Sequence, residues 1–198
     1  MKALSFICCS VLRREIETFL SEDYPEAEQV FLDSMLHMRP EMLHHVIDEA
    51  IAARPDRHCL LVYGDCHAHM KEMGRRSDCA RTDAINCGDL LLGRDLYRTY
   101  RSEKAFLFLP EWTERWREVF QKELGFSDPS LAREFMQESQ RRLVYLDTRL
   151  IPVPAKTLQE IADFFSMPME IVSVSLDKLR QAVRSAVQHL EAKAAHES

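Results

Sequence analysis

Cys59-Leu60-Leu61-Val62-Tyr63-Gly64-Asp65-Cys66 is the stretch on which the fold turns. An apolar run with no polar alternation describes a strand covered on both faces, the habit of parallel sheets. It stops at Gly64, and a cysteine follows at once. Working outward, similar short runs recur between longer helical patterns. Residues 4–8 read as a first strand, followed by a helix through Leu12, Ile16, Phe19 and Leu20. Gln29-Val30-Phe31-Leu32 reads as a second strand. Pro40 opens a helix at a position where proline is favoured, with Leu43, Val46, Ile47, Ala50 and Ile51 as its buried stripe. Residues 79–86 predict a fourth strand running into a helix over Leu90-Leu91-Leu92.

The second half continues the alternation. Residues 104–109 form a strand ended by Pro110, and Trp112, Trp116, Val119, Phe120 and Leu124 mark one helix stopped at Gly125. A helix over 131–140, a strand over 143–146, a helix over 158–165 capped by Thr157, a strand over 170–174 and a terminal helix over 176–194 follow. Strands separated by helices imply a three-layer α/β fold, a mostly parallel sheet with helices on both faces. The length of 198 residues fits a single α/β domain over 1–198, with no linker beyond Ile151-Pro152-Val153-Pro154.

Composition narrows the function classes. Apolar residues make up 46% and charged residues 29%, which places the chain among ordinary globular proteins. The net charge of −6 comes without a long block of one sign, so nucleic acid and anionic membrane surfaces are not expected partners. The opening Met1-Lys2-Ala3-Leu4-Ser5-Phe6-Ile7-Cys8-Cys9 reads as a buried strand rather than a signal peptide, because Arg13-Arg14-Glu15 soon follow and no small-residue cleavage pattern appears. The six cysteines therefore point to a reducing, cytoplasmic setting with free or metal-bound thiols.

Ligands of open parallel sheets bind at the carboxyl ends of strands, near a topological switch point. Cys9 follows the first strand, Cys66 the third, and Cys87 the fourth, while His37 lies five residues beyond the second. Thiolate and imidazole are the ligands zinc prefers, and sets of three cysteines and one histidine are tetrahedral. Cys9, His37, Cys66 and Cys87 are thus the candidate metal ligands. No catalytic residue or cofactor contact is identifiable. Cys8, Cys59 and Cys79 read as small core residues. His67 and His69 flank Cys66 as ligands, as donors behind a ligand, or as surface residues. His44, His45, His58, His189 and His196 read as solvated. Trp112 and Trp116 read as helix core, with Pro110-Glu111-Trp112 alternatively roofing the cleft. Arg13-Arg14-Glu15 reads as a charged helix face, with Arg14 or Glu15 alternatively orienting an anionic substrate. No glycine-rich phosphate loop and no serine nucleophile elbow is present.

Cys9-Ser10-Val11-Leu12-Arg13-Arg14-Glu15, Leu32-Asp33-Ser34-Met35-Leu36-His37-Met38-Arg39-Pro40, Tyr63-Gly64-Asp65-Cys66 and Asn86-Cys87 with Leu91-Leu92-Gly93 together resemble a widespread bacterial and archaeal family of unknown function. Leu107-Phe108-Leu109-Pro110-Glu111-Trp112 and Leu146-Asp147-Thr148 fit the same likeness, which covers about residues 3–150. That family is often encoded beside corrinoid proteins, methyltransferases and their reductive activators. The resemblance implies a role in corrinoid-linked methyl transfer or one-carbon metabolism, with a corrinoid protein or methyltransferase as partner. The chain departs from the family pattern at His67-Ala68-His69, where glycines follow the cysteine, and at Ile85-Asn86, where His-Asp precedes it. These departures leave the four candidate ligands in place and speak against an acid–base role beside Cys87. Three functions stay open: an enzyme or accessory factor of methyl transfer, a structural or metal-storing module, and a metal-free small-molecule-binding or thiol-redox protein.

Overall fold

In the computed structural model, which describes residues 3–196, the run Ala3–Cys9 forms β1 and pairs in parallel on both sides. Met1, Lys2 and the side chain of His196 lie outside the described residues. A short 3-10 turn, Ser10–Leu12, leads into α1 (Arg13–Asp23), which buries Ile16, Phe19 and Leu20. β2 (Glu28–Leu32) follows, then a 3-10 helix, Ser34–Met38, whose first turn is capped by the Asp33 carboxylate accepting from Met35 N–H at 2.9 Å. α2 (Pro40–Ala52) starts on the expected proline and buries Leu43, Ile47 and Ile51, one side chain per turn. β3 (Arg57–Val62) and β4 (Cys79–Arg81) complete a sheet of order β2-β1-β3-β4, joined by the single-turn α3 (Met70–Met73). α4 (Cys87–Leu92) leaves this sheet.

The strands after α4 make a sheet of their own. α5 (Arg94–Ser102) precedes β5 (Ala105–Phe108), and α6 (Pro110–Glu114) is followed by a π-helical turn over Glu118–Glu123. α7 (Pro129–Ser139), β6 (Arg142–Asp147), α8 (Ala155–Phe165) and β7 (Met169–Ser173) follow, with strand order β5-β6-β7, all parallel. Finally α9 (Asp177–His196) packs on β3, β4 and α1 of the first sheet, burying Leu179, Val183 and Leu190. Arg180 and Arg184 pair with Asp23 at the end of α1, and the Lys193 ammonium donates to the carbonyls of Gly74, Arg76 and Cys79.

The fold is α/β with parallel sheets, but the strands are divided between two sheets where one was expected. The chain, expected as one domain, falls into two compact units: Met1–Leu91 with Leu176–Ser198, and Leu92–Ser175. Three local expectations are also corrected. The fourth strand stops at Arg81, because Thr82 turns its hydroxyl onto the Tyr63 carbonyl at 2.8 Å and leads the chain out of the sheet. The helix expected from Trp112 to Leu124 is interrupted by the π-helical turn, although Gly125 ends it in the left-handed conformation, φ 73°. Thr157 lies inside α8, which begins after Pro154.

Candidate functional site

Four parallel strands carry their carboxyl ends to the same edge of the first sheet. The strand order reverses between β1 and β3, since the chain passes from β1 to β2 on one side and then returns to β3 on the other. That is a switch point, where the loops diverge and leave a crevice. Cys9 ends β1, and the register pairing Cys8 with Val62 continues to Cys9 beside Tyr63, the first residue past β3. In-register residues of parallel strands share a face, so Cys9 and Tyr63 are neighbours on one side of the sheet.

Backbone contacts hold the next two loops together. A Cβ on Gly64 would stand 2.4 Å from Asn86 Cα and 2.5 Å from the Ile85 carbonyl oxygen, so only glycine permits this approach. Asp65 N–H donates to the Ile85 carbonyl at 2.9 Å, running the loop after β3 alongside the loop after β4. Asn86 then caps α4, its side-chain oxygen accepting from Asp89 N–H at 3.0 Å, while the buried Asp89 carboxylate accepts from Ile85 N–H at 2.8 Å. Cys87 is thereby fixed as the first residue of α4. The Asp65 carboxylate is gripped by Arg81 at 2.8 Å and Lys71 at 3.3 Å, which pins the segment carrying Cys66. On the other side, the Ser10 hydroxyl accepts from Ser34 N–H at 2.8 Å and ties the turn after Cys9 to the helix bearing His37.

The electrostatics register the crowding. Burial pushes the Cys66 thiol up to about 11, and negative charge on Cys9 adds to it, against a backbone hydrogen bond from Gly64 and the charge of Arg81. Burial, with Cys9 beside it, also raises Cys8 well above the ordinary thiol value. The Tyr63 phenol is raised by burial first and then by charge on Cys9, Cys8, Cys87 and Cys66, so four sulfurs lie within electrostatic reach of one hydroxyl. Tyr63 is 1% exposed, and its oxygen has no hydrogen-bond partner among the described residues. Desolvation lowers the His37 ring, which favours the neutral form a ligand needs, although the residue as a whole is exposed.

The structure therefore brings the segments that carry Cys9, Cys66 and Cys87 to one sheet edge beside Tyr63, and ties the helix bearing His37 to the turn after Cys9. It does not build the tight shell that a tetrahedral ion demands. Among the described residues no group of three or more His, Cys, Asp or Glu side chains is gathered closely enough to hold a metal. Cys8, Cys59 and Cys79 are fully buried, and Cys59 and Cys79 face one another in register on β3 and β4. His67 is 8% exposed, and its Nδ1 accepts from His69 N–H at 3.2 Å. That tautomer keeps the proton on Nε2, leaving no lone pair there for a metal. His44, expected as solvated, is half-buried, its ring centroid 5.0 Å from that of His67 and 5.3 Å from that of His69. Glu15, read as part of a charged face, is buried, whereas Arg14 is exposed. Trp116 is core beside Phe164, and with Trp112 it belongs to the second unit.

Sequence reasoning missed Tyr63. Its signal was a hydroxyl-bearing residue ending an otherwise aliphatic strand, directly ahead of Gly64-Asp65-Cys66.

The sequence model of a family described as Protein of unknown function (DUF1638) matches residues 31–183. The matched span contains His37, Cys66 and Cys87 and begins after Cys9. Among curated proteins and among solved structures nothing matches. Among the described residues no helix is long and apolar enough to cross a membrane.

Proposed function

The chain belongs to this family of unknown function, and from the site it carries we propose that it is a thiolate–imidazole protein that binds one ion such as Zn²⁺ through Cys9, His37, Cys66 and Cys87. It would act in corrinoid-linked methyl transfer or one-carbon metabolism, as an enzyme or an accessory factor, in the reducing cytoplasm.

One observation carries the metal reading: thiols from three separate segments lie within electrostatic reach of one buried phenol, and burial first, with the charge of Cys9 second, pushes the Cys66 thiol up to about 11. A thiol-redox protein needs a thiolate near neutral pH, and crowding opposes it. A divalent cation reverses that balance by turning the same repulsion into attraction. The donor types suit zinc. Their spacing requires the loops to draw in on binding, and the Asp65–Arg81 and Ser10–Ser34 ties anchor the segments that would move. Bound zinc would supply a sulfur that stays nucleophilic at neutral pH. The protein's own part is to bury Cys9, hold the segments that carry Cys66 and Cys87 through the Gly64–Asn86 contact, and keep His37 neutral. The corrinoid part rests on the resemblance in the sequence alone.

Metal analysis of protein prepared without chelator tests the proposal. About one zinc or similar ion per chain is expected, lost in Cys9→Ser, Cys66→Ser and Cys87→Ser but retained in Cys59→Ala and Cys79→Ala. Protein free of every transition metal, with thiols that titrate freely, would refute the metal site and leave a metal-free thiol protein. For the corrinoid role, the loaded protein should change the cobalt absorption spectrum of an added corrinoid protein, and Cys66→Ser should not.

A further inference from the structure

We infer that Cys59 and Cys79 are a reversible redox modification site, two thiols on adjacent strands that close into a disulfide by exchange with a low-molecular-weight disulfide such as oxidised glutathione. The inference goes beyond the reading above and is independent of it, since neither residue belongs to the proposed ligand set.

Register places the pair. β3 and β4 run parallel with Cys59 opposite Cys79, Leu60 opposite Ala80 and Leu61 opposite Arg81. Cys59 N–H donates to the Asp78 carbonyl at 2.8 Å, the ladder bond that flanks the two cysteines. Strands paired in this way stand about 4.8 Å apart, and in-register side chains leave the same face. A disulfide joins Cα atoms about 4.4–6.8 Å apart and Cβ atoms about 3.5–4.5 Å apart. The pair meets the first span and needs β4 to draw in slightly for the second. A bond closed only by such a movement is a labile one, which a thiol reopens.

Access comes from the sheet edge. Both thiols are fully buried, so an oxidant reaches them only when their cover lifts. β4 is three residues long and ends the order β2-β1-β3-β4, so it can open while the rest of the sheet stays closed. Its clasp is Lys193 of α9, whose ammonium donates to the carbonyls of Gly74, Arg76 and Cys79. Hydrogen bonding between the two thiols lowers Cys59 and raises Cys79, which makes Cys59 the sulfur that ionises first. The Cys59 thiolate attacks one sulfur of the external disulfide and expels a thiolate, which takes up a proton. Cys79 then loses its proton to solvent, attacks the Cys59 sulfur and expels the second thiolate. Two protein thiols give up two electrons and two protons, and one external disulfide becomes two thiols.

The test incubates the reduced full chain with oxidised glutathione under native conditions and sequences the unreduced peptide fragments. A Cys59–Cys79 bond should form, and dithiothreitol should reopen it. It should form equally in Cys66→Ala and Cys87→Ala. Cys8, fully buried on the internal strand β1, should stay reduced meanwhile. Lys193→Met should speed the closure about tenfold, the effect of losing one hydrogen bond from a charged donor. Cys59 and Cys79 left reduced while Cys66 and Cys87 take up glutathione would overturn the inference. So would a bond from Cys59 to any other cysteine, or loss of the Cys8 thiol at the same rate, which would mean that only global unfolding exposes the pair. An unchanged rate in Lys193→Met would overturn the opening of β4 as the route. The wild-type map decides without any variant.

Discussion

Gly64 shows how much of the site depends on one missing carbon. With glycine, the loop after β3 lies directly on the backbone of Ile85 and Asn86, just ahead of Cys66 in one segment and of Cys87 in the other. Alanine there would bring its Cβ to 2.4 Å from Asn86 Cα, backbone against backbone, where no rotamer change gives relief. Gly64→Ala should therefore cost about 3 kcal/mol of stability, at the upper end for overpacking, and should weaken metal binding in whatever fraction folds. Gly74→Ala is the comparison and should cost less, because its Cβ meets Arg81 side-chain atoms at 2.7 to 3.1 Å and not backbone. Equal urea midpoints for the two variants would contradict the argument. Neither effect was visible in the sequence, where Gly64 reads only as the end of a strand.

At the scale of elements, Glu28 on β2 joins several segments and gives the first sheet a pH dependence. Its carboxylate takes two hydrogen bonds from Arg54 at 2.8 Å and one from the Ser5 hydroxyl of β1 at 2.7 Å, with Arg57 of β3 nearby. The Arg54 and Ser5 bonds hold the carboxyl down at about 2, below its ordinary 4.5. A carboxyl with a lowered folded value binds fewer protons folded than unfolded. Its stabilisation is present above about pH 4.5 and disappears as the pH falls toward 2. The side chain is over a third exposed, so Glu28→Gln should cost only about 1 kcal/mol at neutral pH. The informative measurement is the urea midpoint at pH 6 and at about pH 3: the wild type should lose more between them than the variant, and equal losses would exclude the role of Glu28. Elements themselves were largely legible, because buried parallel strands leave uninterrupted apolar runs and helices leave a 3.6-residue stripe. β4 was overread, since Thr82 leaves the sheet through its own hydroxyl. Strand order was not legible, because a parallel pair is specified by nothing local to either strand. For the same reason the sequence placed Cys9, Cys66 and Cys87 at strand ends but could not show how far apart their sulfurs would stand.

For the whole molecule, the division into two sheets is the feature that periodicity could not reveal, since each strand reads the same whichever ladder it joins. The first unit is discontinuous: its sheet is built by residue 81, yet α9, which covers β3 and β4, arrives only after the second unit is complete. The family match runs from 31 to 183 and so includes strands of both sheets. Leu179 on α9 is 0% exposed and makes the dependence testable. Leu179→Ala leaves a cavity beneath α9 and should cost about 3 kcal/mol. Because each sheet has its own ladder and its own buried residues, the loss should be local. Hydrogen exchange followed by mass spectrometry should show the amides of β1, β3 and β4 exchanging faster, by about a hundredfold for 3 kcal/mol. Those of β5 and β6, where Leu143, Val144, Tyr145 and Leu146 are fully buried, should keep wild-type protection. Equal acceleration in both sheets would mean that the two units open as one cooperative body. Acceleration confined to the second sheet would mean that α9 stabilises a unit other than the one it packs on, contrary to the division into these two units.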